Sequence, residues 1–338
     1  MTVAPTGTDR SLGLACPRCR SELTSAPSRY ECGRCRSAYP IVLGIPDFRV
    51  FPDPWIGLED DREKARRLEE RSQGASLGAM VREYWAMTPG TPATQAGRFV
   101  DHVLSAYDRS RQWLDVVDSR TRVPAGLWLD VGTGTGDLAC AAATRGARVV
   151  GVDIAMRWLV VARRRAELAG QAIDLVCCNA EHLPFADRTF ARVASVGTLE
   201  HCADAPRVLS EAHRVLVHAG DVQLRTVNRY TLLREPHVRV WGVGFVPRRM
   251  ATRYVRWRTG FGYEHHHPLS ARELRSGLRR AGFNSIRVDA ASLVATERAR
   301  LGRLDAAANA YESARTFPVA STILRWTSPL LDASGVAA

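Results

Sequence analysis

The sequence predicts an α/β fold with a doubly wound parallel sheet, and three observations lead to this prediction. Apolar strand segments alternate with helical segments between residues 123 and 295, which is the pattern of a parallel sheet covered by helices on both faces. A glycine-rich turn, with Gly132, Gly134 and Gly136, follows the first strand. The next strand ends in an acid, Asp153. We expect ligands to bind beyond the carboxyl ends of the strands, where these residues lie.

Each element has its own signal in the chain. Short apolar runs predict strands at 127–132, 148–153, 173–178, 191–197 and 221–228, and the intervening segments predict helices at 137–145, 155–169 and 204–217. A late helix over 270–282 has Ser270 at its N-cap and Glu273 three positions later, which is the pattern of a capping box. A closing strand follows at 286–294.

The residues around the glycines distinguish two kinds of nucleotide site. Glycines let the backbone approach a ligand, and an acid at the tip of the second strand accepts hydrogen bonds from ribose hydroxyls. A dinucleotide dehydrogenase has the spacing G-x-G-x-x-G, whereas this chain has Asp130-x-Gly132-x-Gly134-x-Gly136. That pattern resembles the first motif of class I S-adenosylmethionine (SAM)-dependent methyltransferases, which have a Rossmann-like sheet.

The resemblance continues to the strand at 221–228. The segment 179–185 is similar to the family's adenine-contacting segment, and 195–201 is similar to its fourth strand and the turn that reaches the substrate. The resemblance implies a set of SAM-binding residues: Asp130, Gly132, Gly134, Gly136, Asp153, Ile154, Asn179 and Ala180. Asn179 stands where many relatives have an acid, and Ala191 replaces an aspartate that is usual in the family.

Two histidines are candidate general bases. An oxygen nucleophile usually needs its proton removed, and a histidine suits the working pH. His201 ends the fourth strand, and His265 lies five residues before Ser270, a position similar to that of a histidine in quinone- and sugar-type relatives. The alternative for each is a hydrogen-bonded structural histidine. The run 265–267 lacks acidic partners at a spacing typical of metal ligands.

Two C-x-x-C pairs near the N-terminus predict a structural zinc site. Cys16 and Cys19 are separated by twelve residues from Cys32 and Cys35, and two such turns can complete a tetrahedral four-thiolate site. The surrounding segment resembles the small zinc-ribbon proteins that bind and activate tRNA and protein methyltransferases. A ribbon of this size needs metal in order to fold, so the module is either a folding element or a surface that contacts substrate or activates the enzyme.

The chain divides into four predicted regions. We expect a zinc ribbon over 1–50, a linker with leading helices over 51–122, a class I methyltransferase domain over 123–295, and a helical tail over 296–338. The methyltransferase domain has a substrate-side insertion over 229–268, where arginines alternate with aromatic residues. The charge run from Glu59 to Arg71 predicts a solvated helix.

Composition limits the partners. The 338 residues carry a net charge of +12, almost all of it from arginine because Lys64 is the only lysine. No apolar run is long enough to span a membrane and no leader pattern is present, so we expect a cytoplasmic protein, with peripheral contact at a membrane as a second expectation. The leading hypothesis is methylation, at oxygen, of a small-molecule or lipid-linked acceptor. The alternative is methylation of an RNA base, with the ribbon and basic surface binding the RNA, and a third is a non-catalytic scaffold.

Overall fold

The computed structural model describes residues 12–88, 93–301 and 305–338. The chain divides into two compact units, the first ending at Ala191 and the second beginning at Arg192. Three parts of the predicted regions lie outside the described residues: 1–11 of the ribbon, 89–92 of the leading helices and 302–304 of the tail.

The first unit begins with a small antiparallel sheet that contains the four N-terminal cysteines. Its strands are β1 (Leu23–Ala26), β2 (Arg29–Cys32), β3 (Ala38–Val42) and β4 (Ile45–Pro46), hydrogen-bonded in that order. Tyr30 and Tyr39 are opposite each other in the register and both pack their rings against Phe48, with centroids 5.3 and 5.1 Å away. Three aromatic rings therefore pack together in the core of this sheet, and the core as a whole is small for an independent module.

The rest of the first unit alternates helices and parallel strands. Four helices come first: α1 (Leu58–Arg71), α2 (Leu77–Ala86), α3 (Ala93–Leu104) and α4 (Ala106–Asp118). They are followed by β5 (Leu127–Val131), α5 (Asp137–Ala143), β6 (Arg148–Asp153), α6 (Met156–Leu168) and β7 (Asp174–Cys177). Strands β5, β6 and β7 are parallel neighbours in that order. The carboxyl ends of β5 and β6 are thus adjacent, as the sequence predicts.

A buried network of ion pairs joins the last residues of the predicted ribbon and the linker after it to α1 and α6. Asp61 of α1 is fully buried and accepts hydrogen bonds from Arg49 Nη1 and Arg157 Nη1, both at 2.6 Å. Arg49 also pairs with Asp47 at 2.6 Å, and Arg157 with Asp53 at 2.9 Å. The prediction that the charge run 59–71 is a solvated helix is wrong for its inner face, because Asp61 is buried there and neutralises arginines of two other segments.

The second unit contains the remaining elements. They are β8 (Phe190–Val196, which starts just before the division), α7 (Ala205–Val215), β9 (Leu216–Val227), α8 (Arg248–Thr259), α9 (Ala271–Ala281), β10 (Phe283–Ala290), α10 (Ala295–Leu301), α11 (Asp305–Thr316), α12 (Pro318–Thr327) and β11 (Leu330–Ala337). The sheet order is β8-β9-β11-β10, with β11 antiparallel to both of its neighbours. The predicted capping box is present at α9, where Ser270 and Glu273 bond reciprocally.

The end of the second unit differs from the expected helical tail. Helices continue only to Thr327, and β11 then enters the sheet between β9 and β10. Pro329 follows the helix and cannot donate a backbone hydrogen bond. The residues of β11 alternate between half-buried and buried positions, which is the period of a strand. Among the described residues, no helix is both long and apolar enough to cross a membrane.

The buried network yields a prediction about stability. Replacement of Asp61 by asparagine removes the charge that compensates two buried guanidinium groups, so we expect the free energy of unfolding of the first unit to fall by about 3–5 kcal/mol. Urea denaturation followed by tryptophan fluorescence measures this change. Glu63→Gln on the exposed side of α1 is the matched control, with an expected loss below about 1 kcal/mol. Equal losses in the two variants would contradict the assigned role of Asp61.

Candidate functional site

The glycine-rich turn between β5 and α5 has the backbone that its sequence requires. Gly132, Gly134 and Gly136 all have positive φ, at 73°, 50° and 75°, a region that residues with a Cβ rarely occupy. The backbone N–H groups of Gly132 and Thr133 donate to the carbonyl of Val152 at 2.8 and 2.9 Å. The turn is therefore held against the end of β6.

Two of these glycines have different surroundings. A Cβ at Gly136 would lie 2.8 Å from the Cβ and 3.0 Å from the Cα of Ala162 on α6, whereas a Cβ at Gly134 would meet no atom within 4 Å. The glycine at 136 thus permits close packing of the turn against a helix. The space above Gly134 is open, and a ligand could approach its backbone there.

Asp153 lies at the tip of β6 beside the turn. Its carboxylate accepts hydrogen bonds from the N–H of Gly134 at 2.9 Å and of Ala155 at 2.8 Å. A carboxylate has about four lone-pair positions, so acceptor capacity remains for hydroxyl groups of a ligand. Burial raises the pKa of Asp153 to about 6, although these two backbone donors act in the opposite direction.

Asp130 is buried at the end of β5. It accepts a hydrogen bond from the Thr133 hydroxyl at 2.6 Å, so it bonds within the turn itself. Burial raises the pKa of Asp130 to about 7, with a smaller contribution from the negative charges of Asp137 and Asp153. The resemblance implies that Asp130 takes part in SAM binding, and this hydrogen bond to the turn is the contact through which Asp130 would orient the loop.

The structure gives Asn179 a different role from the expected contact with adenine. Its side chain is fully buried. The amide oxygen accepts from the N–H groups of Val50 and Phe51 at 2.7 and 3.3 Å, and the amide nitrogen donates to the carbonyl of Phe51 at 3.1 Å. The amide thus holds the segment that follows the ribbon. The neighbouring Ala180 and Ile154 are half-buried, and the carbonyl of Ile154 accepts from Arg49 at 3.1 Å.

The four N-terminal cysteines converge on one point. The sulfur atoms of Cys16 and Cys35 lie 3.5 Å apart, those of Cys19 and Cys32 lie 3.4 Å apart, and all four fall within 4.8 Å of one another. Sulfur atoms around a tetrahedral Zn²⁺, with Zn–S bonds of about 2.3 Å, are separated by roughly 3.8 Å. The four thiols therefore fit a zinc ion.

The two cysteine turns share one backbone geometry. In each turn the residue after the second cysteine, Arg20 or Arg36, has φ near 60° and donates its N–H to the carbonyl of the first cysteine, at 2.7 and 2.9 Å. This conformation costs a non-glycine residue about 1–2 kcal/mol. Both turns adopt it, which orients each pair of thiols toward the other pair.

The second unit brings together three histidines, of which the sequence analysis selected one. His201 ends the short 3-10 helix Leu199–His201, and its ring packs edge-on against His237 at 4.7 Å and His266 at 5.2 Å between centroids. Burial, followed by the charge of His237, lowers the pKa of His201 to about 4. A general base acts best when its pKa is near the working pH, so this environment disfavours that role for His201. His265 does not belong to the cluster.

The sequence pattern favours His265 over His266 within the run 265–267, and it points to neither His237 nor Glu235. The Nδ1 atom of His237 lies 2.7 Å from Glu235 Oε1, a contact that raises the pKa of His237 against the opposing effect of burial. The Glu-x-His spacing at 235–237 was the available signal, but nothing in the order of residues shows that this loop meets His201.

The two glycines yield a prediction about packing. We expect Gly136→Ala to reduce the free energy of unfolding by about 2–5 kcal/mol, from overpacking against α6 and from positive φ together. Gly134→Ala is the matched control, since only φ is unfavourable there and the expected loss is about 1–2 kcal/mol. Chemical denaturation of both variants measures the difference, and a loss at Gly134 as large as at Gly136 would contradict the assigned contact with Ala162.

Comparison with known proteins gives a match for the central part of the chain. Residues 129–223 match the family model described as a methyltransferase domain. Three relatives are the biotin biosynthesis bifunctional protein BioHC of Cellvibrio japonicus (39% identical over 169 residues), the ubiquinone/menaquinone biosynthesis C-methyltransferase UbiE of Desulfotalea psychrophila (34% over 164) and the ubiquinone biosynthesis O-methyltransferase of Hahella chejuensis (36% over 117).

The matches cover parts of each protein. They span 50%, 44% and 34% of this chain, and 30%, 65% and 49% of the respective relatives. The chain thus spans less than two thirds of the length of these relatives. The family match confirms the sequence-based expectation of a methyltransferase domain, and it includes the glycine-rich turn and Asp153.

Proposed function

We propose that this chain is a SAM-dependent methyltransferase that acts on a small-molecule or lipid-linked acceptor in a biosynthetic pathway. The observation that carries the proposal is the turn at 132–136, whose open backbone at Gly134 lies beside the acceptor oxygens of Asp153 within the matched methyltransferase domain. These features fit a cofactor that has a ribose to bind and an amino-acid end for the loop to enclose.

The residues of the first unit have distinct roles in this proposal. Asp153 accepts hydrogen bonds from the ribose hydroxyls, and the turn supplies backbone at Gly132, Gly134 and Gly136. Asp130 orients the turn through Thr133. Ile154 and Ala180 border the adenine, while Asn179 acts indirectly by fixing the backbone at 50–51. When SAM is bound it supplies a methyl group for in-line displacement, so the contribution of these residues is to position the reactants.

The surface of the second unit supports a lipid-linked acceptor. Trp241 and Phe245 are 60% and 52% exposed, and their rings are stacked at 6.4 Å. Two further exposed apolar residues, Leu232 and Trp326, lie near this pair. Trp241 Nε1 donates to the carbonyl of Leu232. The N–H of Leu232 in turn donates to the carbonyl of Thr327, the residue after Trp326. Contiguous exposed aromatic residues on a protein with excess arginine suit the interface of an anionic membrane.

The names of the relatives are consistent with this acceptor class. Two of the three are quinone-biosynthesis methyltransferases, one described as a C-methyltransferase and one as an O-methyltransferase. We retain transfer to oxygen as the proposed reaction, and the assignments of His201 and His265 as bases stay predictions. Methylation of an RNA base is the alternative, for which the net charge of +12 is the motive.

A labelling experiment distinguishes these acceptors. The purified chain is incubated with SAM that carries a radioactive methyl group, together with a lysate of the source organism, and the products are separated into organic-extractable, small-molecule, RNA and protein fractions. We expect label in the organic or small-molecule fraction, and none with an Asp153→Ala variant. Label in RNA would overturn the proposed acceptor class, and no label in any fraction would contradict the proposed catalysis.

The pKa of Asp153 predicts how SAM binding depends on pH. Below about pH 6 the carboxyl group is protonated and loses an acceptor for the ribose, so the dissociation constant for SAM should rise by up to about tenfold per pH unit below that value. Calorimetric titration between pH 5 and 8 measures the trend. Asp153→Asn should bind more weakly and lose this step, whereas Asp174→Asn, on β7 of the same sheet, should keep it. A step that persists in Asp153→Asn would exclude Asp153 as its source.

We also propose that Cys16, Cys19, Cys32 and Cys35 bind one structural zinc ion and that residues 12–50 form a zinc ribbon. The convergence of the four sulfur atoms and the matched backbone of the two turns support this. Four thiolates occupy all four coordination positions of a tetrahedral zinc ion, so the site would stabilise the ribbon and leave no position for a substrate or water. A module of this size has a small apolar core and needs such a constraint to fold.

Removal of one thiol tests the zinc site. We expect Cys19→Ser to contain one zinc ion per chain fewer than the unmodified protein, because three thiolates and a hydroxyl bind zinc less tightly than four thiolates. Elemental analysis after gel filtration measures the metal content. Cys140→Ala, at a buried thiol of α5 outside the cluster, is the control and should retain the full content. Equal zinc content in Cys19→Ser and the unmodified protein would overturn the proposal.

A further inference from the structure

The three histidines of the second unit come from three separate segments of the chain. His201 follows β8, His237 lies in the loop after β9, and His266 lies in the loop before α9. One ring nitrogen from each histidine lies within 4.8 Å of one nitrogen of the other two. The remaining pair of rings, His237 and His266, is 4.7 Å apart between centroids. Three imidazoles thus surround one small volume, an arrangement that also provides three ligands for a single ion.

Two of the three rings already have the outer contacts that metal-bound histidines usually make. A ligating histidine commonly donates its other N–H to a carboxylate or a backbone carbonyl, which fixes the ring and raises its basicity. His237 Nδ1 lies 2.7 Å from Glu235 Oε1, and His201 bonds to the backbone of His265. Glu235 is itself fixed, because its other oxygen accepts from the N–H groups of His237 and Val238 at 2.7 and 2.9 Å.

The loops that hold these rings are also anchored. The N–H of His267 donates to the carbonyl of Glu200 at 2.6 Å, which ties the loop of His266 to the turn of His201. The ring of His266 stacks on Tyr263 at 4.9 Å with an interplanar angle of 7°. Glu200 is buried and accepts from the Thr226 hydroxyl at 2.7 Å. The three histidines are therefore held on a fixed framework.

The ligand chemistry of the cluster suits a transition metal. Neutral imidazole is the form that binds zinc and related transition metals. Glu235, whose carboxylate lies 2.7 Å from His237 Nδ1, would offset part of the charge of an ion bound there.

The cluster is accessible to ligands. His237 remains partly exposed, with a quarter of its side chain open to solvent. His266, of the three, also lines a cleft together with Tyr263, His267, Arg229 and Arg248. Three protein ligands leave a fourth position of a tetrahedral zinc ion for water or substrate, and the exposed side of His237 and the cleft beside His266 are routes by which these could enter.

We propose that His201, His237 and His266 bind a zinc ion, with Glu235 as the outer carboxylate that orients His237. Nitrogen ligands on one tetrahedral ion, at Zn–N distances of about 2.0–2.1 Å, are roughly 3.4 Å apart, and the ring nitrogens here lie within 4.8 Å of one another, so the rings would close by at most about 1.4 Å on binding. This site is separate from the four-cysteine site in its ligands, and the proposal is independent of the reaction proposed above.

Metal content of the full chain tests this site. After saturation with zinc and gel filtration, we expect two zinc ions per chain in the unmodified protein and one in His237→Ala. His218→Ala, at an exposed position of β9 outside the cluster, should retain two. Circular dichroism checks that each variant is folded. Equal zinc content in His237→Ala and the unmodified protein would overturn the proposal, whatever the content of the four-cysteine site.

The outer carboxylate gives a second and more sensitive measurement. We expect Glu235→Gln to keep the three ligands but to bind the second zinc ion about 10–100-fold more weakly, as measured by competition with a chelator of known affinity. Glu264→Gln, at an exposed carboxylate of the loop that also contains His266, is the matched control and should leave the affinity unchanged. Equal affinities in all three proteins would contradict the assigned role of Glu235.

Discussion

The first unit depends on a balance of buried charge. Asp47, Asp53 and Asp61 are buried together with Arg49 and Arg157, and removing such groups from water costs several kcal/mol per ion unless every partner is in place. The partners come from the last residues of the ribbon and the linker after it, from α1 and from α6. Without α1, Arg49 and Arg157 would lose their shared partner Asp61. Without α6, Asp53 would lose Arg157, so the network is complete only when these elements are together.

This constraint explains how the ribbon is related to the predicted cofactor site. Arg49, which belongs to the ion network, also donates to the carbonyl of Ile154, next to Asp153. The next two residues bond to the side-chain amide of Asn179. The N–H of Val50 donates to the amide oxygen, and the amide nitrogen donates to the carbonyl of Phe51. The segment 49–51 thus bonds to residues after both β6 and β7. The N-terminal module is part of the framework of the site, in addition to any contact it makes with a substrate or partner.

The sequence was sufficient where the signal is local. The glycine turn, Asp153, the capping box at Ser270 and the convergence of the cysteine pairs follow from spacing, because each depends on residues close together in the chain or on strands of known parallel order. It was insufficient where a role depends on distant partners. In the sequence, Asp61 is one of several acids in a charged helix, and its burial beside Arg49 and Arg157 is known only from the structure. The hydrogen bonds between the side-chain amide of Asn179 and the backbone at 50–51 are likewise known only from the structure.

The histidine cluster shows the same limit at a finer scale. His201 and His266 are separated by 64 intervening residues, and His237 and His266 both belong to the predicted insertion over 229–268. Considered singly, His201 is a candidate base, whereas the structure brings it together with two other histidines. Burial, with a smaller contribution from the neighbouring rings, lowers the pKa of His201 and of His266, so these two rings differ from an isolated histidine.

The position of β11 has a consequence for the order of folding. Its residues lie between β9 and β10, both of which precede it in the chain. Neither β9 nor β10 can pair with β11 until β11 has been synthesised. About a hundred residues separate β9 from β11, and they must close into a loop before these two strands can pair. During translation the first unit has all of its strands much earlier, so it can fold while the sheet of the second unit is still incomplete. Until then, the edges of β9 and β10 need protection from pairing with other chains.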